Sequence, residues 1–134
     1  METIADTNFL LRFILRDDED QFLAAARRLK SSTIIIIATH VFCEIAWALS
    51  YSYNFRRHEV LKELEALTLV DKVKFQKDEV EAGLAFLRRG GDFADGVIAY
   101  TGRRMASPNA EFVSFDRKAV RLLNEQGIPA LIPE

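Results

Sequence analysis

The sequence predicts an α/β fold, a three-layer αβα sandwich around a central, mainly parallel sheet of roughly four to five strands. Short apolar stretches, too brief for helices, alternate with longer amphipathic segments. Thr33-Ile-Ile-Ile-Ile37 is β-branched throughout, as a parallel strand buried on both faces requires. No repeat, low-complexity run or Pro/Gly-rich linker divides the chain, so residues 1–134 read as one domain.

Glu2–Ala5 reads as the first strand, followed by a helix from about Asn8 to Leu15. A second helix, about Glu19 to Lys30, carries Phe22, Leu23, Ala26 and Leu29 on one face. After the isoleucine strand, the segment from about His40 to Tyr51 is apolar nearly all round and is expected to be a central helix, with Cys43 and Trp47 in the core. Val60, Leu61, Leu64 and Leu67 mark a fourth helix, and a short strand near Val73–Phe75 follows. Val80, Leu84 and Leu87 mark a fifth helix, which Gly90-Gly91 stops. Phe93 to about Met105 is the sixth, and Ser107-Pro108-Asn109 is a turn. Glu111–Phe115 reads as a strand, Arg117–Glu125 as a helix, Gly127-Ile-Pro as a break and Ala130–Ile132 as a last edge strand.

Composition narrows the function classes. A chain of 134 residues, 49% hydrophobic and 28% charged, can bury roughly 70% of the surface its unfolded form exposes. No segment approaches the ~20 apolar residues of a membrane span. The opening Met-Glu-Thr-Ile-Ala-Asp lacks a basic region before an apolar run, so no secretory leader is expected. The single cysteine fits a reducing compartment, and a cytoplasmic location is the expectation. One Cys and two His disfavour zinc sites rich in sulfur or nitrogen. A net charge of -2 argues against indiscriminate nucleic-acid binding. Arginine pairs at positions 27–28, 56–57, 88–89 and 103–104 read first as solvated helix ends, with 88–89 the pair best placed to meet phosphates.

Four acids stand alone in apolar surroundings: Asp6, Glu44, Asp95 and Asp116. A carboxylate kept charged on an apolar face is costly unless it is paired or holds a metal. Asp6 and Asp116 end strands, and Glu44 and Asp95 lie near the starts of helices that follow strands. In open parallel sheets both positions fall on the edge where ligands gather. Oxygen ligands favour Mg²⁺ or Mn²⁺. Each acid also has a plainer reading. Asp6 and Asp116 suit N-caps, and Asp92 with Asp95 suits a capping box. Glu44, more than a turn inside its helix, could be a snorkelling or salt-bridged glutamate. Asn8 could steady a carboxylate, and Ser114 lies two residues before Asp116, on the same face of a strand.

These segments resemble the PIN-domain ribonucleases, especially the VapC-type toxins of bacterial toxin–antitoxin pairs. Ile4-Ala-Asp6-Thr-Asn8, Glu44, Asp92-Phe-Ala-Asp95-Gly-Val-Ile-Ala99 and Val113-Ser-Phe-Asp116 carry the resemblance across essentially the whole chain. It implies that Asp6, Glu44, Asp95 and Asp116 bind metal, that Asn8 and Ser114 support them, and that Asp92 is a further acid, ligand or cap. Ser114 stands where Thr is more usual and keeps the hydroxyl. The implied activity is metal-dependent endoribonuclease cleavage, with one or two Mg²⁺ or Mn²⁺ ions activating water and stabilising the phosphoryl transition state. The implied partners are an RNA substrate, a small antitoxin covering the cleft and a second copy in a homodimer. Exposed members among Phe9, Phe13, Phe22, Tyr51, Tyr53 and Phe55 would suit interfaces.

Rival classes are a PIN-domain nuclease of RNA processing, a catalytically silent binding module, and a Mg-dependent phosphatase or phosphotransferase of another α/β family. Aspartyl-phosphate enzymes of the haloacid dehalogenase type need an acid two residues after the first, where Asn8 stands. Receiver domains need a lysine at a late strand end, where Asp116 stands.

Overall fold

The isoleucine run forms the middle strand of a parallel sheet. In the computed structural model, which describes residues 1–134, strand β2 (Ile34–Ile36) is flanked by β1 (Glu2–Ile4) and β3 (Val73–Lys74), both parallel to it. The register aligns Thr3 with Ile35 and Ile35 with Val73, and this row is buried. Ile34 and Ile36 are half-buried, and Ile4 beside Ile36 is exposed. The β-branched run is therefore fully covered on one face and less so on the other. The chain divides into two units, Met1–Lys77 and Asp78–Glu134.

The first unit contains helices α1 (Thr7–Leu15), α2 (Glu19–Ser31), α3 (Thr39–Trp47) and α4 (Arg57–Thr68), with α1 packed on α2 and α3. Asp6 and Asp18 cap α1 and α2 by accepting the Phe9 and Gln21 backbone N–H groups at 2.8 and 3.0 Å. The helix expected to reach Tyr51 leaves α geometry at Trp47 and continues as a π turn, Ala48–Ser52. Val41, Phe42, Ile45 and Leu49 are its buried stripe. Trp47, expected in the core, is 61% exposed, and its ring leans on exposed Tyr51 at 5.6 Å. The reason is angular: Trp47 and Tyr51 follow Glu44 by three and seven residues, on the stripe that faces water. Cys43 is half-buried.

A polar frame closes the end of α2. Thr3 and Ser32 share a buried hydroxyl hydrogen bond of 2.6 Å, and Arg28 Nε donates to Thr3 Oγ1 at 2.8 Å. Lys72 Nζ donates to the carbonyls of Leu29, Lys30 and Ser32 at the C-terminal end of the helix. Lys72→Met keeps the stem and removes these donors, and it is expected to cost about 1–3 kcal/mol. Urea unfolding checks this, as a lower midpoint at unchanged slope.

The second unit contains α5 (Lys77–Arg88, its first residue in the first unit), α6 (Phe93–Met105), β4 (Phe112–Val113), α7 (Arg117–Glu125) and β5 (Ala130–Leu131). Gly90, at φ 103°, takes the left-handed conformation that ends α5. Strands β4 and β5 pair in parallel, with Phe112 beside Ala130 and Val113 beside Leu131. Phe86, Ala99, Ala119, Leu122 and Leu123 form the core, with Phe112, Ile128 and Ala130 packed against it. Asn124 grips the Ala130 backbone through both its amide nitrogen and its oxygen, at 3.1 and 3.0 Å. Every strand pairing is parallel, within one sheet of three strands and one of two. With seven α-helices, the chain has the expected α/β class and is consistent with an αβα sandwich.

Candidate metal centre

Close packing between two helices sets the position of the first two acids. A Cβ added at Gly96 would lie 2.6 Å from Phe86 Cβ and 2.7 Å from the Ala82 carbonyl oxygen. Gly96 thus brings the backbone of α6 directly onto α5. Gly83 does the same for the Phe93 ring, 2.5 Å from where its Cβ would be. This contact holds the start of α6, where Asp92 is the N-cap residue and Asp95 lies in the first turn.

Asp116 comes from the start of α7. Its backbone N–H donates to Ser114 Oγ at 3.0 Å, and its Oδ1 accepts the Ala119 N–H at 3.0 Å. One carboxylate oxygen from each of Asp92, Asp95 and Asp116 can be chosen so that all lie within 4.8 Å of one another. The Asp92 side chain makes no capping bond. Asp116 caps its helix with one oxygen and keeps the other. Capping and clustering are compatible there.

Asp92 and Asp116 are exposed, and Asp95 is half-buried. Burial raises the Asp95 carboxyl above its ordinary range, and the charges of Asp92 and Asp116 push it further the same way. Three hard oxygen donors crowded together fit a divalent metal such as Mg²⁺ or Mn²⁺.

Asp6, Asn8 and Glu44 fall in the first unit. Asp6 is exposed and its Oδ1 is engaged as the α1 cap. Glu44 is exposed, not embedded among the apolar residues that flank it in sequence, and its Oε1 accepts a hydrogen bond from Thr7 Oγ1 at 2.8 Å. Sequence reasoning missed Thr7, although its hydroxyl directly follows Asp6 in the motif. Asn8, expected to steady a carboxylate, lines a cavity of about 480 Å³ with Arg12 and Gln21 between α1 and α2. Gly96 was also missed; its place beside Asp95 was the available signal.

A family model described as PIN domain matches residues 3–123. No curated protein matches the chain.

Proposed function

Because this chain belongs to the PIN-domain family, whose members are generally metal-dependent nucleases, we propose that it is an Mg²⁺- or Mn²⁺-dependent endoribonuclease and the toxin of a VapBC-type pair. The carboxylate cluster of Asp92, Asp95 and Asp116 is the observation that carries the nuclease reading. The toxin assignment rests on the sequence resemblance. So do a small antitoxin partner, a homodimer and, with the lone Cys43, a cytoplasmic location. No helix is long and apolar enough to cross a membrane. The family match runs through both units, which supports one domain over residues 1–134.

Asp92, Asp95 and Asp116 would hold the metal. When bound, it supplies Lewis-acid stabilisation of the developing phosphoryl charge and activates water for attack. The Ala119 N–H fixes one oxygen of Asp116 and orients the other. The Ser114 hydroxyl holds the turn that presents it. The resemblance assigns metal binding to Asp6 and Glu44 as well, with Thr7 restraining the Glu44 carboxylate.

Incubation of the purified protein with RNA is expected to give cleavage in Mn²⁺ and none in EDTA. Asp6→Asn preserves helix capping, so it separates the two roles of that residue: lost cleavage assigns it to the metal, and retained cleavage leaves it a cap. Expression in bacteria is expected to arrest growth, with relief by a small protein encoded next door. Harmless expression of the active nuclease favours RNA processing instead.

A further inference from the structure

A cavity of about 330 Å³ opens in the second unit where α5, α6 and the end of α7 meet. Its floor is apolar, built on Phe86, Ala99 and Leu123 of the core. Its lining carries two cations, Arg103 and Arg104, and no acid. The Arg104 guanidinium lies over the Tyr100 ring, 5.6 Å from its centre, and that ring is itself part of the wall. An apolar floor beside two exposed guanidinium groups complements a flat organic anion, whose body covers the floor while its charge meets the arginines. The volume falls within the roughly 300–1,000 Å³ of small-ligand sites, whereas a docked protein needs about 800 Å² of surface.

This cavity is separate from the metal centre. Asp92 and Asp95 stand at the start of α6, and Arg103 and Arg104 lie in its last turn. Roughly 12–18 Å of helix lies between them. The two places are nonetheless joined. Ala82, Phe86 and Gly96, which make the close contact of α6 on α5, are also walls of the cavity. Leu123 and Gln126 bring in the end of α7, whose start carries Asp116. A ligand there bridges, at one end, the helices that present the three acids at the other. Without metal, the charges of Asp92, Asp95 and Asp116 repel one another and oppose that arrangement, and a bound cation removes the repulsion. Metal and ligand therefore favour the same arrangement of helices.

We propose that this cavity is an effector site for an aromatic organic anion, held by Arg103 and Arg104, and that its occupancy is coupled to metal binding at Asp92, Asp95 and Asp116. The cavity stands apart from the nuclease reading, and the coupling rests on the metal centre of that reading.

The test is isothermal titration calorimetry with naphthalenesulfonate, whose sulfonate is a poor metal ligand, in EDTA and in Mn²⁺. One molecule is expected to bind per chain. Affinity should rise on the order of fivefold in Mn²⁺, and Mn²⁺ should gain the same factor from the probe. Naphthol, the ring without the charge, and methanesulfonate, the charge without the ring, should each bind far more weakly. Arg103→Gln and Arg104→Gln together should weaken binding roughly tenfold through lost charge-assisted hydrogen bonds. Ala85→Phe, at an exposed position on the wall, should block the cavity. Both variants should keep the wild-type melting temperature and, without the probe, its Mn²⁺ affinity. No binding by the wild type, equal binding of naphthol, or unchanged affinity in the arginine variant would each overturn the proposal. So would equal affinities with and without Mn²⁺. If Ala85→Phe fails to fold, the arginine variant decides alone. RNA cleavage in Mn²⁺ by a wild type that binds no probe leaves the nuclease reading standing without the effector site. If Mn²⁺ itself does not bind, the metal centre falls together with the coupling.

Discussion

Asp95→Asn is expected to abolish metal-dependent RNA cleavage and, in the metal-free protein, to raise the melting temperature near neutral pH. The two effects share one cause. Burial first, then the charges of Asp92 and Asp116, raises the folded-state carboxyl above its ordinary 3.8. A group with a raised folded pKa binds its proton more tightly folded than unfolded. Its favourable contribution is present below the unfolded value and is lost as pH rises through the folded value. Near neutral pH the charged Asp95 therefore opposes folding. Asn keeps the shape without the charge. The stability difference between variant and wild type should be largest at neutral pH and shrink as pH falls toward 3.8. Added Mn²⁺ should reverse the ranking. The wild type gains about 2.7 kcal/mol at a hundredfold excess over Kd, by mass action on the folded state, and the variant gains far less. Cleavage should fall on the order of a thousandfold or more, because acids that share an ion act as a unit. Melting curves with and without Mn²⁺ decide it, and equal metal responses would remove Asp95 from the site.

Gly96→Ala should be strongly destabilising. The new Cβ would meet the Phe86 Cβ at 2.6 Å and the Ala82 carbonyl at 2.7 Å, neither of which is the far end of a flexible side chain. Relief requires α6 to move off α5, at a cost of about 1–3 kcal/mol. That corresponds to a fall in melting temperature of roughly 4–11 °C. Because α6 carries Asp92 and Asp95, Mn²⁺ affinity should fall with it. Gly102→Ala, on the same helix with nothing within 4 Å of its new Cβ, is the control. It should stabilise by about 0.5–1 kcal/mol through helix propensity. Equal behaviour of the two variants would mean that the α5–α6 contact does not hold the site.

Local chemistry made much of this chain legible. Helices α6 and α7 run over the residues that periodicity and punctuation marked, Phe93–Met105 and Arg117–Glu125. Glycine at 90 and the Asp at the starts of α1, α2, α6 and α7 are signals written in a few adjacent residues. Trp47 went the other way. In a segment apolar nearly all round, periodicity assigns no inner face, and packing chose the stripe of Val41, Ile45 and Leu49. Glu44 turned outward for the same reason.

The sequence by itself determined the α/β class, the order of strands and helices, the family and the acids worth testing. These follow from side-chain pattern and motif, which are properties of neighbouring residues. Tertiary structure decided which acids lie close together in the second unit, Asp92, Asp95 and Asp116. Helix capping and metal clustering leave the same mark in sequence, an Asp at a helix start. They separate only when the glycine contact of α6 on α5 and the Ser114 turn bring three carboxylates within 4.8 Å, a distance set by packing between segments remote in sequence.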